Sequence, residues 1–309
     1  MVARRELLAM GVVGLTLEPV DTPLPAWSPG AHVDLVLPSG LVRQYSLCGP
    51  LSADSYEIAV FLEHNGRGGS SEVHREVVVG TELALRDPRN RFPLEPALEY
   101  LFLAGGIGIT PFLPMVEQAE ARGASWRLIY GGRSKPEMAF LDRLSDFSGS
   151  VVIVPQDRCG LIDVASELAA HPRARVYVCG PPGMISAVQV GMEASEDGAR
   201  LHFERFITEP GTSEAHHPGD SACEVQLGFD GPVIKVGADK SILDSIVRAG
   251  VDVLFSCEEG TCGSCQTKVL AGEIDHRDDL LTDEERKDGQ MLICVSRSMS
   301  PRLVLDIPA

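Results

Sequence analysis

The stretch Cys257-Glu258-Glu259-Gly260-Thr261-Cys262-Gly263-Ser264-Cys265 spaces three cysteines as C-x4-C-x2-C, and Cys294 follows alone downstream. Three thiolates from one loop and a fourth from a distant strand form the ligand pattern of a plant-type [2Fe–2S] cluster. Zinc would want a second C-x2-C hook, which the chain lacks. No His stands at a ligand position, so a Rieske-type centre is excluded. Gly260 and Gly263 suit a loop wrapped round a cluster, where the backbone comes close and unusual φ angles are needed. N–H groups freed in such a loop can point at the sulfurs. Among the 8 cysteines, Cys48, Cys159, Cys179 and Cys223 are scattered singly beside apolar residues or glycine, and read as small buried hydrophobes.

Around that loop the chain alternates short strands with short helices. Glu224–Phe229 and Pro232–Val236 read as a hairpin about Asp230-Gly231. Ser241 caps a helical apolar stripe that Gly250 ends. Strands at Thr267–Leu270, Met291–Val295 and Leu303–Ile307, with an acidic helix at Thr282–Lys287, complete a segment, 222–309, that resembles a plant-type ferredoxin with its β-grasp fold. Upstream, 207–221 is a polar Pro/Gly/Ser stretch without apolar periodicity, which reads as a linker. Residues 97–206 alternate apolar runs (Tyr100–Ala104, Trp126–Tyr130, Val151–Val154, Val176–Cys179) with helical periodicity (Pro111–Arg122, Met138–Asp146, Asp163–His171, Met184–Glu196). That rhythm predicts an α/β domain, a parallel sheet with helices on both faces. Residues 1–96 hold short alternating strands (Leu35–Leu37, Tyr56–Leu62, Leu83–Leu85) between Pro/Gly turns, which predicts a small antiparallel β-barrel.

Three further motifs carry chemistry. The first α/β strand runs into Ala104-Gly105-Gly106-Ile107-Gly108-Ile109-Thr110-Pro111. Glycines there let a pyrophosphate approach the backbone at a helix N-terminus, although Thr110 stands where a strict G-x-G-x-x-G has its last glycine. The last strand ends in Cys179-Gly180-Pro181-Pro182-Gly183, which leaves room for a flat ring at the usual ligand crevice. A plain strand–helix turn is the competing reading of both. In the barrel, Arg43-Gln44-Tyr45-Ser46 sets a guanidinium, a phenol and a hydroxyl along one strand, suited to a phosphate and an isoalloxazine ring. Asn65-Gly66-Arg67-Gly68-Gly69-Ser70-Ser71 opens a helix at Glu72–Val77 and forms an anion nest. Arg133-Ser134, after the second α/β strand, and Asp157-Arg158, after the third, suit either ribose hydroxyls or a 2′-phosphate.

In this order the motifs resemble the ferredoxin–NADP reductase superfamily, and more narrowly the phthalate dioxygenase reductase family, to which vanillate O-demethylase reductases are similar. The resemblance covers nearly the whole chain. It implies a flavin domain at 1–96, an NAD(P) domain at 97–206 and a [2Fe–2S] ferredoxin domain at 222–309. It implies that Arg43, Gln44, Tyr45 and Ser46 hold the flavin, that Gly66, Arg67, Gly68, Gly69 and Ser70 cradle its phosphate, and that Phe206 lies close to the ring. Gly105, Gly106, Gly108, Thr110, Arg133, Ser134, Cys179, Gly180 and Pro181 would meet the nucleotide, and Cys257, Cys262, Cys265 and Cys294 would bind the cluster. The Gly-Arg-Gly-Gly-Ser form resembles the FMN members, and the adenine-contacting aromatic of FAD relatives is not identifiable. NADH over NADPH follows the habit of the family, as does a monomer. The implied activity passes hydride from NADH to FMN, then single electrons through [2Fe–2S] to a terminal oxygenase of the Rieske non-haem iron type in aromatic degradation. No side-chain catalyst is required. Two alternatives stand: an FAD-dependent reductase of the same superfamily feeding another monooxygenase, and a non-enzymatic redox-sensing flavo-iron–sulfur protein.

Charge narrows the partners. The 309 residues carry 27 Lys and Arg against 44 Asp and Glu, a net charge of −17, which disfavours nucleic acid and anionic lipid. No apolar run approaches the ~20 residues that span a bilayer. Arg4-Arg5 is followed by Glu6 without an apolar core, so no signal peptide and a cytoplasmic location are expected. From Ala222 onward there are 16 acids and 9 bases, with Asp278, Asp279, Asp283, Glu284, Glu285 and Asp288 close together, either a solvated helix face or a docking patch for a basic partner.

Overall fold

The computed structural model describes all residues except 52–53, 65, 67, 148–149, 194–199, 207–218, 256–257, 259, 261–262, 279 and 308–309. The chain divides into two compact units, Met1–Phe206 and Ile207–Ala309.

The first unit opens with antiparallel strands. These are β1 (Val2–Ala9), β2 (Val12–Leu17), β3 (Ala31–Val36), β4 (Val42–Ser46), β5 (Tyr56–Phe61), β6 (Ala84–Leu85) and β7 (Arg89–Asn90), with helix α1 (Gly69–Glu76) after β5. Two sheets, β1-β2-β5 and β4-β3-β6 with β7 also on β3, enclose one core of Val13, Leu15, Val33, Leu35, Leu47, Ile58, Val60 and Val73. Each fully buried Leu, Ile or Val contributes about 1.5–3 kcal/mol, so this core alone offsets much chain entropy. The predicted barrel strands fall on β3, β5 and β6. Strands β1 and β2 were not predicted, and α1 starts at Gly69 rather than Glu72.

The second layer of this unit is parallel throughout. It comprises β8 (Glu99–Gly105), α2 (Phe112–Ala121), β9 (Ser125–Gly132), α3 (Leu141–Ser145), β10 (Val151–Pro155), α4 (Gln156–Cys159), α5 (Val164–Ala170), β11 (Arg175–Cys179), α6 (Pro182–Glu193) and β12 (Leu201–Glu204), with strand order β10-β9-β8-β11-β12. Alternate residues of β8 serve opposite faces: Tyr100 and Phe102 pack with Phe112 and Tyr177, Leu101 and Leu103 with Ile185 and Val188. Burial on both faces is why these strands read as continuous apolar runs. Two expectations need correction. The sheet has a fifth strand, β12, and the helix expected over Met138–Asp146 is interrupted by Phe140, whose left-handed φ of 63° leaves only Leu141–Ser145 helical.

The second unit contains β13 (Cys223–Leu227), β14 (Val233–Val236), α7 (Ile242–Arg248), β15 (Gln266–Ala271), β16 (Ile274–Asp275), α8 (Asp283–Lys287), β17 (Gln290–Leu292), β18 (Arg297–Ser298) and β19 (Arg302–Leu305). The main sheet runs β14-β13-β19-β15-β17, with β13 and β19 parallel and the other pairs antiparallel. Helix α7 lays Ile242, Leu243 and Ile246 on Val225, Leu227, Leu303 and Leu305, a β-grasp arrangement. Ser241 Oγ caps α7 by accepting from Asp244 N–H at 2.9 Å, and Thr282 and Glu285 form a reciprocal capping box on α8. The expected strand Met291–Val295 stops at Leu292, where the chain turns toward Cys294. Most of the expected linker lies outside the described residues. Its last part is held within the second unit: Asp220 accepts from Arg277 Nη2 at 2.6 Å, and Ser221 O from Arg297 Nη2 at 3.0 Å.

Candidate functional site

Antiparallel register decides which polar residues of β4 act together. Arg43 opposes Leu35, Gln44 opposes Asp34, and Ser46 opposes His32. Opposed residues share a face, so Ser46 and Gln44 stand with His32 and Asp34, away from the barrel core. The Arg43 side chain crosses the start of α1. A Cβ built on Gly69 would stand 2.5 Å from Arg43 Cγ and 2.6 Å from its Nε, so only glycine leaves room for that stem. Gly68 precedes it in the left-handed region, at φ 86°. A cation beside the unpaired N–H groups of a helix start is an anion cradle. Ser70 Oγ accepts from Glu63 N–H at 3.0 Å, and buried Glu72 accepts from Ser39 N–H at 2.8 Å, which together fix the loop. Gly66 is exposed, and Arg67 lies outside the described residues. Gln44 is drawn elsewhere: its Nε2 donates to Asp34 Oδ1 at 3.0 Å, an oxygen that also receives Arg89 Nη2 at 2.6 Å. Burial pushes the Tyr45 phenol well above its usual range, with Arg43 opposing.

The glycine loop and the Cys-Gly-Pro turn meet at the C-terminal edge of the parallel sheet. Cys179 lies in register between Ala104 and Glu204, and Gly105 is in register with Gly131. A Cβ on Gly108 would stand 2.3 Å from the Cys179 carbonyl oxygen, and one on Gly105 would stand 2.5 Å from Pro181 Cδ. The two motifs therefore pack backbone to backbone. Buried Thr110 donates its hydroxyl to Ile107 O at 3.0 Å, which tightens the turn at Gly106–Ile109. Gly180 is half-buried and Pro181 exposed beside them. Arg133 and Ser134 follow β9, two strands from Cys179. Arg133 is exposed, and Ser134 donates to Glu137 Oε2 at 2.9 Å.

Barrel and sheet converge where Ser46 faces this edge. His32 Nδ1 lies 3.9 Å from Glu204 Oε1, with side chains 6% and 15% exposed. Burial pushes the Glu204 carboxyl up to about 8, opposed by the Ser46 hydroxyl beside it. Burial, then Arg89, pulls the His32 imidazole down to about 4. Burial and then Glu204 hold the Cys179 thiol well above its usual value. Among the described residues, His32 Nε2 is buried without a hydrogen-bond partner, and Ser46 Oγ and Glu204 Oε2 have none beyond each other's side chains. Each such atom costs about 1–3 kcal/mol, and a ring with N–H and C=O groups along its edge, as a flavin has, supplies partners for them. The cradle at Gly69 and these atoms fit that group. Phe206, two residues beyond Glu204, is 38% exposed. His32 was missed in the sequence, although a His and an Asp alternating through the otherwise apolar strand Ala31–Val36 are the available signal.

In the second unit, β15 pairs with β17 so that Gln266 opposes Leu292, and Ile293 N–H donates to Cys265 O at 3.5 Å. The pairing brings the buried thiols Cys265 and Cys294 to one end of the sheet. Cys257 and Cys262 lie outside the described residues. The loop glycines Gly260 and Gly263 have φ of 73° and 70°, as a wrapping loop requires. Two buried thiols beside such a loop are a donor set suited to an iron–sulfur cluster.

Comparison with known proteins agrees with this geometry. Residues 230–299 match the model of the 2Fe-2S iron-sulfur cluster binding domain, and 102–190 that of the oxidoreductase NAD-binding domain. The chain is 39% identical to a vanillate O-demethylase oxidoreductase of Pseudomonas sp. (strain HR199 / DSM 7063), covering 99% of each. It is 38% identical to a toluene-4-sulfonate monooxygenase system reductase subunit of Comamonas testosteroni, covering 99% of this chain and 98% of that one. The solved phthalate dioxygenase reductase, described as a modular structure for electron transfer from pyridine nucleotides to [2Fe-2S], superposes with a TM-score of 0.73 at 36% identity, over 99% of this chain and 96% of that one. The chain belongs to the phthalate dioxygenase reductase family. Membership in that family accounts for the barrel, the parallel nucleotide-binding sheet and the ferredoxin unit in one chain. An intact type IV self-sufficient cytochrome P450 monooxygenase also matches, with a TM-score of 0.88 and 38% identity over 99% of this chain, which spans 40% of that enzyme's length. Among the described residues, no helix is long and apolar enough to cross a membrane.

Proposed function

We propose that this reductase is the NADH-dependent, FMN- and [2Fe–2S]-containing component of a multicomponent oxygenase or demethylase, and that it serves a Rieske-type terminal oxygenase as a monomer. The observation that carries the reading is the convergence of Ser46 from the barrel with Cys179 and Glu204 from the sheet edge. In this reading 1–96 is the flavin domain, 97–206 the nucleotide domain and 222–309 the ferredoxin domain, joined through 207–221. Arg43 and the turn Gly66–Ser70, Arg67 included, hold the FMN phosphate. Gln44 steadies β4 through Asp34, and Tyr45, Ser46 and Phe206 orient the ring. Gly105, Gly106, Gly108 and Thr110 with Cys179, Gly180 and Pro181 admit the nicotinamide nucleotide, and Arg133 and Ser134 flank its adenosine end. Cys257, Cys262, Cys265 and Cys294 bind the cluster. FMN, when bound, accepts hydride as an electron pair and yields electrons one at a time. The chain's own part is to hold donor and ring in contact and to keep water out of that contact.

An anaerobic titration with NADH and then NADPH, followed by visible absorbance, tests the reading. Bleaching of flavin and then of the broader iron–sulfur bands at micromolar NADH is expected. Cluster absorbance with an unresponsive flavin would overturn it. The likeness to the self-sufficient P450 favours a second reading of the partner, a haem monooxygenase. Reconstitution with a Rieske oxygenase and with a P450 domain distinguishes the two by which acceptor is reduced.

A further inference from the structure

Barrel and sheet of the first unit share an apolar cluster, in which Val12, Cys48 and Ala59 lie with Ile109, Leu113 and Met138. Such contacts hold two surfaces together without fixing their register, because the hydrophobic effect has no direction. Hydride transfer needs register as well as contact. Arg143, on α3, supplies directed bonds across the junction. Its Nη1 donates to the Cys48 carbonyl at 2.7 Å and its Nη2 to Glu117 Oε1 at 2.5 Å, and Glu57 Oε2 on β5 lies 3.8 Å from Nη1. We propose that Arg143 is a positioning residue for hydride transfer, a clamp that fixes the end of the flavin strand β4 against the helix that follows the glycine loop. The inference deepens the proposed function and rests on it.

Both ends of the clamp lie on elements that carry cofactor groups. Cys48 is two residues past Ser46, at most about 7 Å of chain. It is buried, and its N–H donates to Glu57 O at 2.9 Å, which locks it to β5. Glu117 lies on α2, six residues past Pro111, about 9 Å along a helix that rises 1.5 Å per residue. That helix begins directly after the turn Gly106–Ile109 and Thr110. A hydrogen-bonded strand end and a helix are stiff, so a shift at the guanidinium passes to Ser46 on one side and to the glycine loop on the other. The residue type suits the task. A guanidinium is planar, stays charged and offers its N–H groups in a fixed fork, whereas a lysine ammonium is a point charge on a flexible stem. The Arg143 side chain is 25% exposed, so water competes for these bonds less than at an open surface pair. Its backbone is set by Phe140, one turn earlier, which packs on the same apolar cluster and stands at a left-handed φ of 63°. A Phe persists in that conformation only where its surroundings hold it there.

The test uses the full flavin- and cluster-loaded chain. In stopped-flow reduction by NADH, Arg143→Ala should lower the saturating rate by about 10- to 100-fold, the scale of a misplacement near 1 Å. The half-saturating NADH concentration and the flavin content should stay at wild-type values. Arg143→Lys should recover part of the rate, and it guards against a folding defect in the Ala variant. Glu117→Gln loosens one side of the clamp, and in that background Arg143→Ala should cost less than it does alone, because members of one network are not additive. Arg127→Ala, which breaks a pair with Glu167 inside the sheet layer, is the control and should be reduced at the wild-type rate. A second readout needs no NADH: amide hydrogen exchange should quicken over 46–50 and 112–121 in Arg143→Ala and not in Arg127→Ala. A saturating rate unchanged in both Arg143→Ala and Glu117→Gln would overturn the role of Arg143 in hydride transfer, and so would an equal loss of rate in Arg127→Ala. Wild-type protein that NADH does not reduce, with exchange quickened as expected in Arg143→Ala, would instead overturn the functional reading and leave the clamp in place.

Discussion

Gly108→Ala tests whether the glycine loop and the Cys-Gly-Pro turn form a nucleotide seat. Gly108 is not in the left-handed region, so the substitution adds no backbone strain, and its effect is one of space. The new methyl would stand 2.3 Å from Cys179 O, 2.6 Å from Cys179 C and 2.9 Å from Gly180 N. Ordinary contact begins near 3.5 Å, so one loop must retreat by about 1 Å. All three neighbours are backbone in or beside a central strand, and no rotamer change relieves them. Overpacking of this kind costs about 1–3 kcal/mol, a loss of a few degrees in thermal midpoint for a unit of this size. The larger effect falls on rate, because a displacement of about 1 Å between reacting groups costs on the order of 100-fold. Stopped-flow reduction of the flavin by NADH should slow by that factor while flavin and iron contents are retained. Gly183→Ala is the control, since a Cβ there meets nothing within 4 Å, and it should stay within about twofold of wild type. Wild-type reduction in a folded, flavin-loaded Gly108→Ala protein would refute the shared seat and leave a packing turn.

Other perturbations read other parts of the structure. Gly69→Ala displaces the Arg43 stem and should weaken flavin binding by about 10- to 100-fold, the worth of one hydrogen bond to a charged group, as measured by fluorescence of the released flavin; unchanged affinity would remove Arg43 from the cradle. Asp34→Asn leaves Arg89 and Arg86 without a buried carboxylate. The full loss for a buried pair is about 3–5 kcal/mol, and because both arginines are about one-third exposed, about 2 kcal/mol is expected from urea unfolding followed by flavin release. Thr282→Ala removes the capping box of α8 and should cost about 1 kcal/mol, read from the urea midpoint of iron–sulfur bleaching, with flavin release unaffected.

Much of this site was legible because its chemistry is local. Cysteine spacing, glycines before a helix and an arginine two residues before a tyrosine are short-range signals. The ferredoxin loop is the clearest case, since the left-handed φ of Gly260 and Gly263 follows from wrapping alone. Long-range pairings were not legible. Strand β1 mixes Arg4, Arg5 and Glu6 with apolar residues because one of its faces is solvated, and so it gave no apolar run to notice. Strand β12, with its His202 and Glu204, looks polar for a strand, yet it completes the sheet beside β11. His32 acquires meaning only when barrel and sheet have packed and brought it within 3.9 Å of Glu204.

That packing explains why two motifs far apart in sequence close on one point. From the central strand β8, the chain builds outward to β9 and β10 and returns to lay β11 on the other side of β8. Helix α2 packs on the face of Tyr100 and Phe102, and α6 on that of Leu101 and Leu103. Neither helix covers the edge between β8 and β11, which is the topological switch point where open α/β sheets bind ligands. The barrel reaches the same edge through apolar contacts: Val12, Cys48 and Ala59 share a cluster with Ile109, Leu113 and Met138. Cys48 lies two residues past Ser46, and its carbonyl accepts from Arg143 Nη1 at 2.7 Å. Burial pushes its thiol up to about 12, so it is inert as a nucleophile and acts as a small packing group. The approach of barrel to sheet edge is therefore set by apolar packing around Cys48, and a change of volume at Cys48 should slow stopped-flow reduction of the flavin by NADH before it alters flavin binding.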